Sequence, residues 1–328
     1  MSARLTLALD AGLELPDVGR ILLLHPPGDA DLSALEPGRV LAVQPFRPDF
    51  EALERRGIEV VPEPPEDLRV AATIVYLPRA KDLAHALLAR AAAMSDGPVI
   101  VDGAKTDGIE SILKALRKRV ELAGSLSKAH GKIAWFRSAG DDWSDWQDSW
   151  RELDGFRTRP GVFSADGVDP ASALLAGHLP GSLGRHVVDL GAGWGYLSAR
   201  LLEDDGLRRL DLVEADARAL DCARAVIADP RAAFHWADAR TWRPDTAADA
   251  VVMNPPFHTG RAADPALGQA FVQAAARMLS GSGKLYVVAN RQLPYEATLA
   301  QAFAHTEEIG GDGRFKILRA ERPSRRGR

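Results

Sequence analysis

The chain has 328 residues, 46% hydrophobic and 26% charged, with a formal net charge of −4; this suits two globular domains of ordinary size or one large one, and excludes a disordered or strongly polybasic protein. No apolar run approaches the roughly 18–20 residues that cross a bilayer, and the single cysteine, Cys222, excludes an internal disulfide and a cysteine-rich zinc site. The opening MSARLTLALDAGLEL alternates apolar and polar residues without a secretory h-region, so a cytoplasmic protein that uses no membrane is expected.

In chain order, RILLLHPPG (20–28) reads as a strand leaving through two prolines. ATIVYLPRA (72–80) is a second strand, followed by a helix to Met94. The strand in SDGPVIVDGA comes next, and then a helix from Ile109 to Val120. A segment dense in Trp, Asp and Gly (141–158) is expected to be an ordered connector packed against a domain on either side. Beyond it, strands are expected at RHVVDLGA (185–192), LDLVEAD (210–216), AAFHW (232–236), ADAVVMN (248–254) and GKLYVVAN (283–290). Helices separate them at 196–205, up to Ala228, at 266–279 and at 295–304, and EEIGG with RFKILRAE closes the chain as a hairpin-like pair.

Continuous apolar strands alternating with amphipathic helices imply a mostly parallel sheet covered on both faces. The strand–helix order before residue 140 repeats that after residue 185, which suggests duplication of one α/β unit. The first copy lacks the glycine-rich turn of the second and carries YLPRA where the second has MNPPF, so any chemistry belongs to the second. The expected domains are 1–140 (degenerate), 141–158 (connector) and 159–328 (catalytic).

VVDLGAGWGYLSARL sets Asp189, Gly191, Gly193 and Gly195 between a strand and a helix, where a tight backbone and free N–H groups allow close approach of a ligand. The spacing is G-x-G-x-G, not the dinucleotide G-x-G-x-x-G. Glu214, at the tip of the next strand, is placed to accept ribose hydroxyls, whereas Asp216 reads as a helix N-cap. Asp238, in WADAR, reads by itself as a turn residue. VVMNPPFHTG ends a strand at Asn254-Pro255-Pro256-Phe257, a stiff turn presenting an amide, a carbonyl and a ring. This turn resembles the catalytic loop of amino-methylating enzymes, which implies that the Asn254 oxygen and the Pro255 carbonyl accept the two hydrogens of a conjugated amine and that Phe257 stacks on its ring. His258 reads as a loop support more readily than a substrate contact. His25, His130 and His186 lack ligand-like spacing, and no metal site is expected.

The glycine-rich turn resembles motif I of class I S-adenosylmethionine-dependent methyltransferases, and Asn-Pro-Pro-Phe resembles the catalytic loop of their amino-methylating branch. RPGVFSADGVDPASALLAGHLP (159–180), NPPFH, VVANRQLPY and GRFKILRAER together resemble the RsmC-type 16S ribosomal RNA guanine-N2 methyltransferases. That resemblance implies two tandem Rossmann-like methyltransferase domains, doubly wound with an antiparallel last strand, the N-terminal one degenerate. It implies S-adenosylmethionine as cofactor, held by Asp189, Gly191, Gly193, Glu214 and Asp238 and covered by Phe163 and Ser164. Guanine is then handled by Asn254, Pro255 and Phe257, and RNA phosphate by Arg314, Lys316 and Arg261. The partner is the 16S RNA of the small ribosomal subunit, met by a monomer, with the basic KALRKR run (114–119) as a further RNA contact on a scaffolding first domain. Two rival readings remain: methylation of another amino nitrogen (adenine N6 or protein glutamine), and a non-catalytic RNA-binding assembly factor.

Overall fold

The computed structural model describes residues 4–256, 258–259, 262–263 and 265–324. The chain forms two compact units, one running to Trp150 with Arg159–Gly161, the other comprising Arg151–Thr158 and the chain from Val162 onward.

In the first unit, helix α1 (Arg4–Asp10) precedes strands β1 (Ile21–Leu24), β2 (Val40–Val43), β3 (Glu59–Val61), β4 (Ala72–Tyr76), β5 (Val99–Ala104), β6 (Gly124–Lys128) and β7 (Gly131–Phe136). Helix α2 (Arg47–Arg55) follows β2, α3 (Lys81–Met94) follows β4 and α4 (Ile109–Leu116) follows β5. The sheet order is β3-β2-β1-β4-β5-β7-β6, parallel except for β7, which is antiparallel to both its neighbours. No helix joins β1 to β2: the chain passes instead through Pro26, Pro27 and a short 3-10 turn at Pro37–Arg39. The cofactor-cradling turn is thus missing in backbone as well as in sequence.

The second unit opens with a hairpin, β8 (Arg151–Leu153) and β9 (Phe156–Thr158), and helix α5 (Pro170–Ala176). Strands β10 (His186–Leu190), β11 (Arg209–Glu214), β12 (Ala232–Trp236) and β13 (Ala248–Met253) alternate with α6 (Tyr196–Leu201) and α7 (Ala217–Val226). A two-residue pair, β14 (His258–Thr259) and β15 (Ala262–Ala263), leads into α8 (Pro265–Met278), β16 (Leu279–Asn290), α9 (Tyr295–Ala302), β17 (Phe303–Gly311) and β18 (Phe315–Pro323). The order is β12-β11-β10-β13-β16-β18-β17, strand for strand that of the first sheet, again with the penultimate strand reversed. The duplication read from the sequence is therefore present in topology. Alternate residues of β10 feed two cores, Val187 on one face and Val188 with Leu190 on the other. This is why the strand reads as an unbroken apolar run.

The expected connector is not a separate element. Trp143 and Trp146 belong to the core of the first unit, where Trp146 stacks on His85 at 3.9 Å and lies under the Arg119 guanidinium at 4.5 Å. Arg151–Thr158 instead forms the β8–β9 hairpin of the second unit, with Phe156 edge-on to Trp194 at 5.0 Å. Of the aromatic residues expected to pack against a domain on either side, Trp143, Trp146 and Phe156 each pack within one unit, where burying a ring in an existing core removes apolar surface from water, while Trp150 stays 48% exposed.

Candidate active site

Parallel pairing brings the motifs to one sheet edge. Asp189 pairs with Val252 and Leu190 with Val213. Two residues beyond the first pair, the chains leave the sheet as Gly191 and Asn254. One residue beyond the second lie Gly191 and Glu214. The glycine turn is thus flanked by the acid on one side and the amide on the other, at the carboxyl end of the strands where the order reverses about β10. That is where ligands bind in open α/β sheets.

The turn needs its glycines. Gly191, Gly193 and Gly195 have φ of 83°, 56° and 90°, a region that side chains rarely enter. At Gly195 an added Cβ meets Ile227 Cδ1 at 2.8 Å, so this glycine packs α6 against α7. At Gly193 an added Cβ meets nothing within 4 Å, so it would project into open space at the turn, where a ligand would approach the backbone.

Asp189 is fully buried and accepts a 2.6 Å hydrogen bond from Ser198 Oγ through Oδ2, while its Oδ1 has no partner among the described residues. Burial pushes its pKa up to about 6, against the lowering effect of Ser198. Glu214 accepts from Gly193 N through Oε2 (2.8 Å) and from Asp216 N through Oε1 (2.8 Å). Burial pushes it up to about 7 despite these bonds, and each carboxylate oxygen retains a lone pair for a further donor. Asp216 caps α7 by accepting from Arg218 N.

Asn254 Nδ2 donates to Asp169 Oδ2 and to Ser172 Oγ, both at 2.8 Å. Its Oδ1 is buried and has no partner among the described residues. Pro255 is buried and Pro256 exposed. Phe163 is 56% exposed, and its carbonyl accepts from Trp194 Nε1 at 2.9 Å; Ser164 follows with φ of 50°. A large exposed ring tied to the glycine turn through Trp194 is available to cover a ligand.

Other expected residues are placed differently. Asp238 is bound on both oxygens by Arg240, and its carbonyl accepts from the N–H groups of Thr241 and Trp242, which makes it a turn residue with an occupied carboxylate. Lys316 is 5% exposed and ion-paired with Glu296, so it presents no ammonium to a phosphate; β18 runs between β16 and β17 and is buried at four successive residues, Phe315 to Leu318. Arg314 is exposed, with its guanidinium 5.0 Å from the Phe315 ring centroid. Phe257 and Arg261 lie outside the described residues, as does the side chain of His258. Within KALRKR, Arg119 is held by Asp145 and the two tryptophans, while Lys114, Arg117 and Lys118 are exposed.

The sequence reading missed two features. Asp169 and Ser172 stood only as matching letters, yet they touch Asn254. Buried Asp211, mid-strand in β11, accepts from His186 Nε2 (2.6 Å), His235 Nε2 (2.8 Å) and Arg209 Nε (3.0 Å). The signal was an aspartate inside an apolar strand; its partners on β10 and β12 adjoin it only through register. Among the described residues, no group of three or more His, Cys, Asp or Glu side chains is placed to hold a metal, and no helix is long and apolar enough to cross a membrane.

The Methyltransferase small domain family model matches residues 154–319, about half of the chain. The ribosomal RNA small subunit methyltransferase C of Hahella chejuensis is 30% identical over 324 residues, covering 93% of this chain and 94% of that protein. Its namesake in Shewanella sp. MR-4 is 32% identical over 257 residues, 74% of this chain and 75% of the other. Among solved structures, the T. thermophilus 16S rRNA N2 G1207 methyltransferase in complex with AdoMet and guanosine superposes with a TM-score of 0.79. It shares 26% sequence identity, covering 96% of this chain and 90% of that one. A glycine turn, an acid at the neighbouring strand tip and an amide at the next one, all on the second of two like-ordered sheets, thus coincide with similarity along nearly the whole chain: it belongs to the ribosomal RNA small subunit methyltransferase C family.

Proposed function

We propose that this protein transfers a methyl group from S-adenosylmethionine to the exocyclic N2 of a guanine in 16S ribosomal RNA. The observation that carries the reading is the buried Asn254 Oδ1, an acceptor without a partner among the described residues, beside the glycine turn. The residues fit the cofactor. Glu214 has lone pairs left for two hydroxyls, Gly193 leaves open space at the turn, and Phe163 offers a covering ring. Asp189, with Ser198, fixes the turn from beneath. Asp238 and Ser164 stay in the reading as neighbours of that site, Asp238 through its backbone, since Arg240 occupies its carboxylate.

The bound sulfonium supplies an electrophilic methyl group and a neutral thioether leaving group. The protein's own part is orientation. The N2 lone pair is delocalised into the purine ring, so the amine is a weak nucleophile. Asn254 Oδ1 and the Pro255 carbonyl, each accepting one N2–H, hold the amine with its remaining lobe toward the methyl group. As the N–C bond forms and the C–S bond breaks, positive charge appears on N2, and the same acceptors stabilise it until a proton departs to water. Phe257 stacks on the extruded guanine.

The first unit serves as scaffold and RNA-positioning surface, with Lys114, Arg117 and Lys118 exposed on it. Arg314, exposed just before β18, and Arg261 supply phosphate contacts; Lys316 contributes to the fold of that strand instead. The protein acts as a monomer in the cytoplasm, where ribosomal subunits are assembled. The test uses labelled S-adenosylmethionine and small subunits from a strain lacking this gene, followed by nucleoside analysis. Label in N2-methylguanosine is expected. Label in N6-methyladenosine or in protein, or tight RNA binding without label, overturns the reading.

A further inference from the structure

We infer that Asp169, with Ser172, is a positioning residue that fixes which end of the Asn254 amide faces the substrate; the inference rests on the function proposed above. Asp169 is the N-cap of α5, and its Oδ2 accepts from Ser172 N at 2.8 Å. The same Oδ2 accepts from Asn254 Nδ2 at 2.8 Å, and Ser172 Oγ lies 2.8 Å from that nitrogen. Both amide hydrogens of Asn254 are thereby used, and Oδ1 is left as the side-chain atom without a partner among the described residues.

The two partners are not equivalent. A hydroxyl both donates and accepts, so Ser172 tolerates either end of an amide. An ionised carboxylate only accepts, so Asp169 admits the NH2 end alone. With the amide reversed, its NH2 would face the N2–H groups of guanine, donor against donor, and the amine would lose the acceptor that aims its lone pair. The segment before the glycine turn therefore does more than cover the site: its helix cap is wired to the reacting edge across 85 residues of sequence. Pro170, at the first position of α5, needs no N–H partner there and stiffens the cap.

Full-length Asp169→Ser and Asp169→Asn variants test this. Serine caps a helix about as well as aspartate, but its one hydroxyl is committed to Ser172 N and imposes no direction on Asn254. Asparagine restores an oxygen that accepts from both. For Asp169→Ser, kcat on small subunits is expected to fall at least about tenfold, with the KM for S-adenosylmethionine within roughly twofold and Tm nearly unchanged. Asp169→Asn is expected to recover kcat to within about threefold of wild type. Wild-type kcat in Asp169→Ser, an Asp169→Asn variant as slow as Asp169→Ser, or parallel losses in kcat, KM and Tm would each overturn the positioning role. Wild-type enzyme forming no N2-methylguanosine in the same assay overturns the proposed function instead, and the positioning role with it.

Discussion

In the proposed function Asn254 serves the substrate and Glu214 the cofactor, so the effects of changing them should separate. Asn254→Ala removes the acceptor that aims the amine but leaves the Glu214–Gly193 contact intact. Loss of one such oriented group costs about 10²–10³ in kcat, so methyl transfer should collapse while calorimetric affinity for S-adenosylmethionine stays within a fewfold of wild type. Comparable loss of cofactor affinity would show that Asn254 faces the cofactor. Glu214 makes a pH-dependent prediction. Burial pushes its pKa up to about 7, and the ionised form is the better acceptor for two ribose hydroxyls. Binding that prefers the ionised acid should weaken by up to about tenfold per pH unit below that value and level off above it. Glu214→Gln, which carries no titrating proton, should flatten the profile, and titration calorimetry between pH 5.5 and pH 8.5, a range set about the Glu214 pKa, is the measurement. A wild-type affinity independent of pH would remove Glu214 from the ribose.

Within one turn, Gly195 is needed for packing, whereas Gly193 borders open space and is assigned to the cofactor in the proposed function. Gly195→Ala forces a Cβ to within 2.8 Å of Ile227 and 3.0 Å of Ala223 at a φ of 90°. Strain of this kind costs roughly 1–3 kcal/mol, so Tm should fall and α6 should loosen. Gly193→Ala meets no neighbour; cofactor affinity should suffer more than stability does. Equal effects of the two changes on both readouts would contradict that assignment. A second stabilising device joins β10, β11 and β12 through Asp211. Burial would raise this carboxyl, but hydrogen bonds from His186, His235 and Arg209 outweigh it and hold it well below the usual range. The unfolded chain therefore takes up the proton first. The cluster's stabilisation is complete above the ordinary carboxylate pKa and drains away as pH falls through the lower folded value. Asp211→Ala should cost about 3 kcal/mol or more near neutral pH, measured by urea unfolding, with the gap from wild type narrowing in strong acid. A constant gap down to the acid limit would mean that packing, not charge, is lost.

Across the molecule, charge is organised against first appearances. The basic ending suggested a phosphate grip, yet Lys316 is ion-paired with Glu296 and Arg319 with Glu307 and Glu321. With a net charge of −4, the proposed RNA contact falls to cations left exposed, of which Arg314 is one. Arg314→Ala should lower the salt slope of RNA binding by about one and weaken binding alike for all RNA sequences, whereas Lys316→Ala should leave the slope unchanged. Filter binding across a salt series distinguishes them; equal slopes for wild type and Arg314→Ala would place the RNA elsewhere.

The alternation of apolar strands and helices, the glycine spacing and the Pro-Pro exit are local features, and local sterics and hydrophobic period fix them. They were accordingly legible from residue order: the repeated α/β unit, the degenerate first copy, and the positions of Gly191, Glu214 and Asn254 at strand tips. What residue order could not supply was which polar groups meet. Asp169 reaches Asn254, three strands' side chains converge on Asp211, and Lys316 turns inward, all through register and packing between segments distant in sequence. Hydrogen bonds depend on ångström placement in three dimensions, and a one-residue change of register would send the strand residues Asp211 and Lys316 to the opposite face.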